Sequence, residues 1–315
     1  MKKKPIALQS AAYKLLLTGF TEWLTLLNYS AFSIPCLARA VKDFFEYQEA
    51  TGKLSLEQLM ATDANEFIEL LQAKNMYSNG HINKQIQALK LLSKYIRQSG
   101  KSVVGFSLQR LEERRSKPVW LTKEEMQLLY DAIPDSVLGI RDKAMLAVFY
   151  GCGLRLNEGA SLEVNDIDTI RKVLHVRKGK HYKERFVPIA EKNFEEIKLY
   201  VDYARPQLLQ QIKTTALFID ANKGRPMQKQ SLYVRIKQLV KKANLKAPSG
   251  VGVKKAGTHT LRHSIATHLL QSGMKLERIQ QFLGHADLDS TQIYTHLANE
   301  TESINSKWKF KNEAT

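Results

Sequence analysis

Two cysteines in 315 residues, Cys36 and Cys152, are too few and too far apart to build a disulfide framework or a metal knuckle. Both are expected to be reduced thiols, which sets redox chemistry aside. Long apolar runs are also missing: no stretch approaches the roughly 20 residues needed to cross a bilayer. The start, MKKKPIALQSAAYKLLLTGF, carries lysines without a convincing cleavage site for a secretory signal. These absences lead to the expectation of a cytoplasmic protein with no membrane partner. Internal repeats and low-complexity tracts are absent too, which leaves ordinary globular domains.

Acidic residues are the last shortage. Asp and Glu number 31 against 48 Lys and Arg, a net charge of +17. An excess of that size implies a polyanionic partner, nucleic acid first, because each phosphate neutralised releases condensed counterions. Positions 1–117 hold 17 basic and 10 acidic residues, and the remainder 31 and 21. The surplus is therefore spread along the chain, which suits two parts gripping one long polyanion. With 43% apolar residues the chain can fill the core of one large domain or two ordinary ones.

From about Leu24 to Ile96 apolar residues recur at three and four positions, as in CLARAVKDFFEYQ and INKQIQALKLLSKYI, and predict a helical bundle. TDANEFIELL adds a helix start, with Thr62 or Asp63 as cap and Glu66 placed to answer as in a capping box. The pattern lapses in RQSGKSVVGFSLQRLEERRSKPVW, which is polar, basic and broken by Gly and Pro. A domain boundary is placed there. Helical periodicity resumes at LTKEEMQLLYDAI, with a Thr cap and a Glu three residues on. KVLHVRK and ERFVPIA then alternate as short strands flanking a charged turn. Helices return at QSLYVRIKQLVKKAN, HTLRHSIATHLLQSG and KLERIQQFLGH. The fold class expected is mainly α with a small antiparallel β-sheet, in two domains.

HTLRHSIATH places His259 and His263 one helical turn apart, the spacing of paired zinc ligands. A zinc hydrolase needs a glutamate directly after the first histidine, and Thr260 stands there. Leu261, Ile265 and Leu269 form a stripe expected to be buried, leaving His259, Arg262 and His263 together on another face. An arginine between two candidate ligands repels a dication and attracts a phosphate. GCGLRLNEGASL supplies a glycine turn, then Arg155 at a helix start and Glu158 one turn on, where it can fix the guanidinium as a preorganised phosphate clamp. RIQQFLGHADLDSTQIYTHL ends a helix with Gly284, exposes His285 beyond it and continues to Tyr294. His268 is read as a helix residue without a chemical role.

GLRLNE, HTLRH, LGH and STQIYTH, in that order and spacing, resemble the boxes of the tyrosine recombinases, the integrase and Xer-type enzymes that cut and rejoin DNA. The resemblance covers about 120–300 motif by motif and the front half by organisation only. It implies a helical core-binding, SAM-like domain at 1–110, a linker at 111–119 and a mixed α/β catalytic domain with a C-terminal tail at 120–315. Tyr294 matches the nucleophile that forms a 3′-phosphotyrosyl link. Arg155 and Arg262 match the arginines on the non-bridging oxygens, His259 the general base, and His285 the hydrogen-bonding partner of the scissile phosphate. The family's hairpin lysine, which protonates the leaving 5′-oxygen, falls on Lys178, Lys180 or Lys183; Lys178, directly before Gly179, is the assignment. The turn here is about two residues longer than the compact Xer form. Glu158 and His263 support these groups from behind.

The resemblance implies no cofactor and no metal. Its partners would be double-stranded DNA recombination sites, held by a homotetramer spanning two of them through a Holliday junction, alone or with a second recombinase or accessory DNA-binding proteins. A cytoplasmic, nucleoid-associated location follows. The tail, with Ile304, Trp308 and Phe310, would dock on a neighbouring subunit or on its own domain. The length before the catalytic part leaves no room for an additional arm-binding domain. Integrases, invertases and dimer-resolution enzymes share these boxes and differ in DNA context. Competing readings are a type IB topoisomerase-like enzyme, a helical DNA-binding regulator and, more distantly, a metal-dependent nuclease.

Overall fold

A computed structural model describes residues 8–101, 105–113, 119–177, 184–245 and 256–284. The chain divides into two compact units, Met1–Arg115 and Ser116–Thr315.

In the first unit the described helices are α1 (Ala11–Leu26), α2 (Ser33–Ala50), α3 (Asp63–Ala73) and α4 (Asn79–Gln98). Helix α1 is capped by Ser10, whose side chain accepts from the Tyr13 amide, and it buries Tyr13, Leu16, Phe20 and Leu24 at helical spacing. The core is aromatic: Tyr13 stacks on Phe45 at 4.4 Å, and Phe44 meets Phe67 and Phe106 edge-on. Each such buried ring contributes about 1.5–3 kcal/mol. The predicted box at α3 is built differently. The Thr62 side chain makes no capping bond, and Asp63 instead accepts from the Met60 amide and pairs with Lys53. Asn83 bonds both the amide and the carbonyl of Leu111, fastening the 105–113 segment to α4. Lys84, Lys90, Lys94 and Arg97 of α4 are exposed. Three of these line a cavity of about 720 Å³ with Ser93, Ser107 and Phe106.

The second unit begins with α5 (Lys123–Asp131), where Thr122 and Glu125 form the expected capping box. It continues with α6 (Val137–Leu146), a π-helical turn at Ala147–Gly151, and α7 (Leu156–Ala160). Strands β1 (Ile167–Asp168), β2 (Val173–Val176) and β3 (Arg185–Pro188) form one antiparallel sheet in that order, with Leu174 opposite Val187 and Val176 opposite Arg185. The inward residues Leu174, Val176 and Val187 are buried, whereas Phe186 is exposed and stacks on His175. Helices α8 (Glu191–Leu199), α9 (Arg205–Leu209), α10 (Lys229–Lys242), α11 (Thr258–Gln271) and α12 (Leu276–Leu283) complete the described elements. Helix α11 packs against the π-helical turn and α12, so the segments carrying Arg155, Arg262 and Gly284 meet in one place. None of the described helices is long and apolar enough to cross a membrane.

Candidate active site

The π-helical turn widens the backbone just before Cys152 and Gly153, a distortion frequent at functional sites. Gly153 takes φ +61°, and a Cβ there would stand 2.7 Å from Leu283 Cδ2. Only glycine allows the chain to turn while α12 packs so closely. The turn delivers Arg155 to the N-cap of α7. There its amide donates to Glu158 Oε2 at 2.8 Å and its Nη1 to Oε1 at 3.0 Å. Its Nη2 donates to the Gly284 carbonyl at 3.2 Å and its Nη1 reaches the Leu283 carbonyl at 3.5 Å.

Arg262 arrives from α11. It is 4% exposed, and donates from Nη1 to the Gly153 carbonyl at 2.6 Å and from Nη2 to the Leu283 carbonyl at 2.7 Å. The sequence pattern placed Arg262 on a different face from the stripe Leu261, Ile265 and Leu269, which was expected to be buried. Of that stripe only Leu261 is fully buried, and Arg262 is more buried than Ile265 and Leu269, because backbone carbonyls of two other segments close over it. His259 stands exposed on the first turn of α11, and His263 is half-buried one turn later. Both imidazoles are held below the ordinary histidine value. For His259 the causes are desolvation, then the charges of Arg262 and Arg155; for His263, desolvation, then His259 and Arg262. The four groups therefore share one electrostatic environment, strongly positive, where a dication is repelled and a phosphate attracted. Among the described residues no cluster of three or more His, Cys, Asp or Glu side chains is placed to hold a metal ion.

Helix α12 ends at Gly284 in the left-handed conformation, its amide donating to the Gln280 and Gln281 carbonyls, as the sequence pattern anticipated. Lys178, His285 and Tyr294 lie outside the described residues, as does the C-terminal tail.

One residue went unanticipated. Arg185, the first residue of β3, makes a bidentate pair with Glu158, Nη1 to Oε1 at 3.1 Å and Nη2 to Oε2 at 3.0 Å, and donates from Nε to the Phe282 carbonyl at 3.1 Å. The Glu158 side chain is 3% exposed. Burial pushes its carboxyl up, but the hydrogen bonds and charge of Arg185, with those of Arg155, outweigh this and hold it below the ordinary value. A signal was present in the sequence: alternation puts Arg185 on the same strand face as Val187, which is fully buried, and a cation on an apolar face requires a partner.

His268, expected to be an unremarked helix residue, is 5% exposed and joins Tyr150 through a 2.8 Å bond between Nδ1 and Oη, with Trp120 packed edge-on against its ring.

The model of the phage integrase family matches residues 119–301. The tyrosine recombinase XerD of Proteus mirabilis is 33% identical over 291 residues, which cover 92% of this chain and 83% of that protein. The tyrosine recombinase XerD of Staphylococcus saprophyticus is 37% identical over 186 residues, or 59% of this chain, and the match spans 60% of that protein's length. Among solved structures, XerH site-specific recombinase bound to a palindromic difH substrate, a post-cleavage complex, aligns with TM-score 0.73 over 96% of this chain and 86% of that one. At 23% identity this last likeness shows a common fold.

Proposed function

The chain belongs to the phage integrase family, the tyrosine recombinases, whose members break and rejoin DNA, and from that premise we propose that it is a site-specific DNA recombinase. The observation that carries this reading is the convergence of Arg155 and Arg262 on the C-terminal end of α12, with His259 beside them. Backbone carbonyls and Glu158 set the planes of both guanidiniums in advance, as a phosphate clamp requires.

In the proposed reaction the Tyr294 phenolic oxygen attacks the scissile phosphorus. A new P–O(Tyr) bond forms as the P–O5′ bond breaks; His259 takes the phenolic proton, and Lys178 gives a proton to the departing 5′-oxygen. His285 hydrogen-bonds the phosphate. Arg155 and Arg262 meet the charge that grows on the non-bridging oxygens. The phosphodiester is conserved as an aryl ester, so a 5′-hydroxyl can reverse the step without an external energy source. An imidazole held below its ordinary value by partial burial and the charges of Arg262 and Arg155 suits the base. Glu158 and His263 act on these groups from behind.

The part at 1–110 would serve as the core-binding domain, joined by 111–119 to the catalytic domain at 120–315. Exposed Lys84, Lys90, Lys94 and Arg97 on α4 fit a duplex backbone. A homotetramer on two DNA sites, acting at the nucleoid, completes the proposal.

The test is incubation of the full chain with a nicked suicide duplex carrying the site, in EDTA. A covalent protein–DNA adduct from wild type and none from Tyr294→Phe is expected. An adduct that survives Tyr294→Phe, or that disappears in EDTA, overturns the reading. Relaxation of supercoils without exchange between two sites would assign the topoisomerase activity instead.

A further inference from the structure

Arg185 touches three pieces of the site at once. Its strand pairs with β2, with Arg185 opposite Val176, two residues before Lys178. Its guanidinium grips Glu158 beneath Arg155, and its Nε holds the Phe282 carbonyl two residues before the end of α12 at Gly284. Gly284 makes room for it: a Cβ at that position would stand 2.8–2.9 Å from Arg185 Nη1, Cδ and Nε. Each of the three guanidinium nitrogens donates to a protein acceptor, and the side chain is 8% exposed. This is the posture of a support.

The charges explain what is supported. Glu158 alone with Arg155 would be a closed ion pair, its carboxylate cancelling the guanidinium that a phosphate needs. A second arginine on the same carboxylate changes the balance: Arg185 and Glu158 neutralise each other, and the positive charge of Arg155 is left to act on the substrate. The carboxylate also loses its freedom to move. Four donors fix it, two from Arg185 and two from Arg155, and removal of the Arg185 pair would let it swing and carry Arg155 with it.

We propose that Arg185 is a positioning residue for DNA cleavage, acting through Glu158 to hold the pose and preserve the charge of Arg155, without contacting the scissile phosphate itself. This rests on the recombinase reading given above.

The test compares single-turnover adduct formation by the full chain on two suicide duplexes, one with the natural scissile phosphodiester and one with a methylphosphonate there. The methylphosphonate has one non-bridging oxygen replaced by methyl, so its transition state carries less negative charge and depends less on Arg155. Arg185→Gln is expected to slow cleavage of the phosphodiester by about 100-fold, with DNA affinity held within about threefold. On the methylphosphonate the gap to wild type should shrink by at least about tenfold. Arg185→Lys, which keeps the charge but loses the fork, should fall between. Where Arg185→Gln fails to fold, Arg185→Lys, which leaves the buried carboxylate facing a cation, carries the comparison between the two duplexes.

Equal losses on both duplexes mark a merely structural role and overturn the proposal, as does full activity of Arg185→Gln on the phosphodiester. Absence of any Tyr294-dependent adduct from wild type is a different result, which overturns the recombinase reading itself.

Discussion

Tyr150 and His268 are joined by a 2.8 Å hydrogen bond, Oη to Nδ1, that ties the π-helical turn leading to Arg155 to the helix carrying His259 and Arg262. Burial pushes the Tyr150 hydroxyl above its ordinary value, so it remains protonated across the working pH range. Replacing Tyr150 by Phe keeps the ring and removes the bond. The expected cost is about 1 kcal/mol of stability, read from urea unfolding. A double-mutant cycle with His268→Gln should return most of that cost as coupling between the two side chains; independent effects would mean that the bond contributes nothing.

Three histidines give the chain a pH dependence of definite sign. His259, His263 and His268 all sit below the ordinary value of 6.5. For His268 the causes are desolvation, then Lys123, with Glu124 and the Leu121 backbone opposing. Each folded-state pKa lies below the unfolded one, so between them the unfolded chain binds more protons and stability rises with pH. Acidification from about pH 7.5 through 6.5 and below should lower the urea midpoint. Glu158, whose value is lowered from 4.5, contributes stability above that value and loses it only as pH falls further, so it does not act in this window. A midpoint that stays flat or climbs on acidification contradicts this, and His268→Gln should make the slope shallower than in wild type.

Arg155 and Arg262 should separate when stability and cleavage are measured together. Alanine at either position removes a donor to the charge of the transition state, at a cost of about 10²–10³ in cleavage rate. Arg262 also donates to the carbonyls of Gly153 and Leu283 from a buried position, and its loss takes that donor from the Gly153 carbonyl and leaves the Leu283 carbonyl only the 3.5 Å reach of Arg155. Arg262→Ala should therefore destabilise the chain by about 2–4 kcal/mol. The Arg155 side chain is 19% exposed and is held chiefly by Glu158, which keeps Arg185, so Arg155→Ala should cost less. Equal destabilisation by the two variants would show that the carbonyl bonds of Arg262 carry no weight.

The contrast between these arginines also marks what the sequence could disclose. Local signals were legible where one stretch of chain carries its own cause: the 3.6-residue periodicity of α2, α4 and α11, the Thr122–Glu125 box, the alternation of β2 and β3, and the left-handed cap at Gly284; α1, which lies almost wholly before the expected start at Leu24, was not anticipated. The identities of Arg155, Glu158, His259 and Arg262 stood out through their spacing, and the structure brings them together. What stayed hidden depends on partners distant in sequence. Arg262 is covered by carbonyls 109 and 21 residues away, and Arg185 finds Glu158 27 residues away, which no periodicity encodes. The bond of His268 was hidden because its partner, Tyr150, lies 118 residues away. The α3 cap differs for a local reason: Asp63 is drawn to Lys53 and the Met60 amide in the turn before the helix.

Gly284 offers a test in which backbone strain and crowding can be told apart. It sits at φ +66°, where a Cβ costs about 1 kcal/mol. Gly273, between α11 and α12, sits at φ +84°, and a Cβ added there would meet nothing within 4 Å, so Gly273→Ala should cost only that strain and leave cleavage unchanged. At Gly284 the added methyl must also displace the Arg185 guanidinium, 2.8–2.9 Å away, which loosens Glu158 and, through it, Arg155. Gly284→Ala should then destabilise by about 2–3 kcal/mol and slow cleavage by about 10–100-fold. Thermal unfolding and single-turnover adduct formation on the two variants decide between the terms. If Gly284→Ala and Gly273→Ala behave alike in both measurements, the close approach of Arg185 has no energetic consequence, and the route from β3 to Arg155 loses its support.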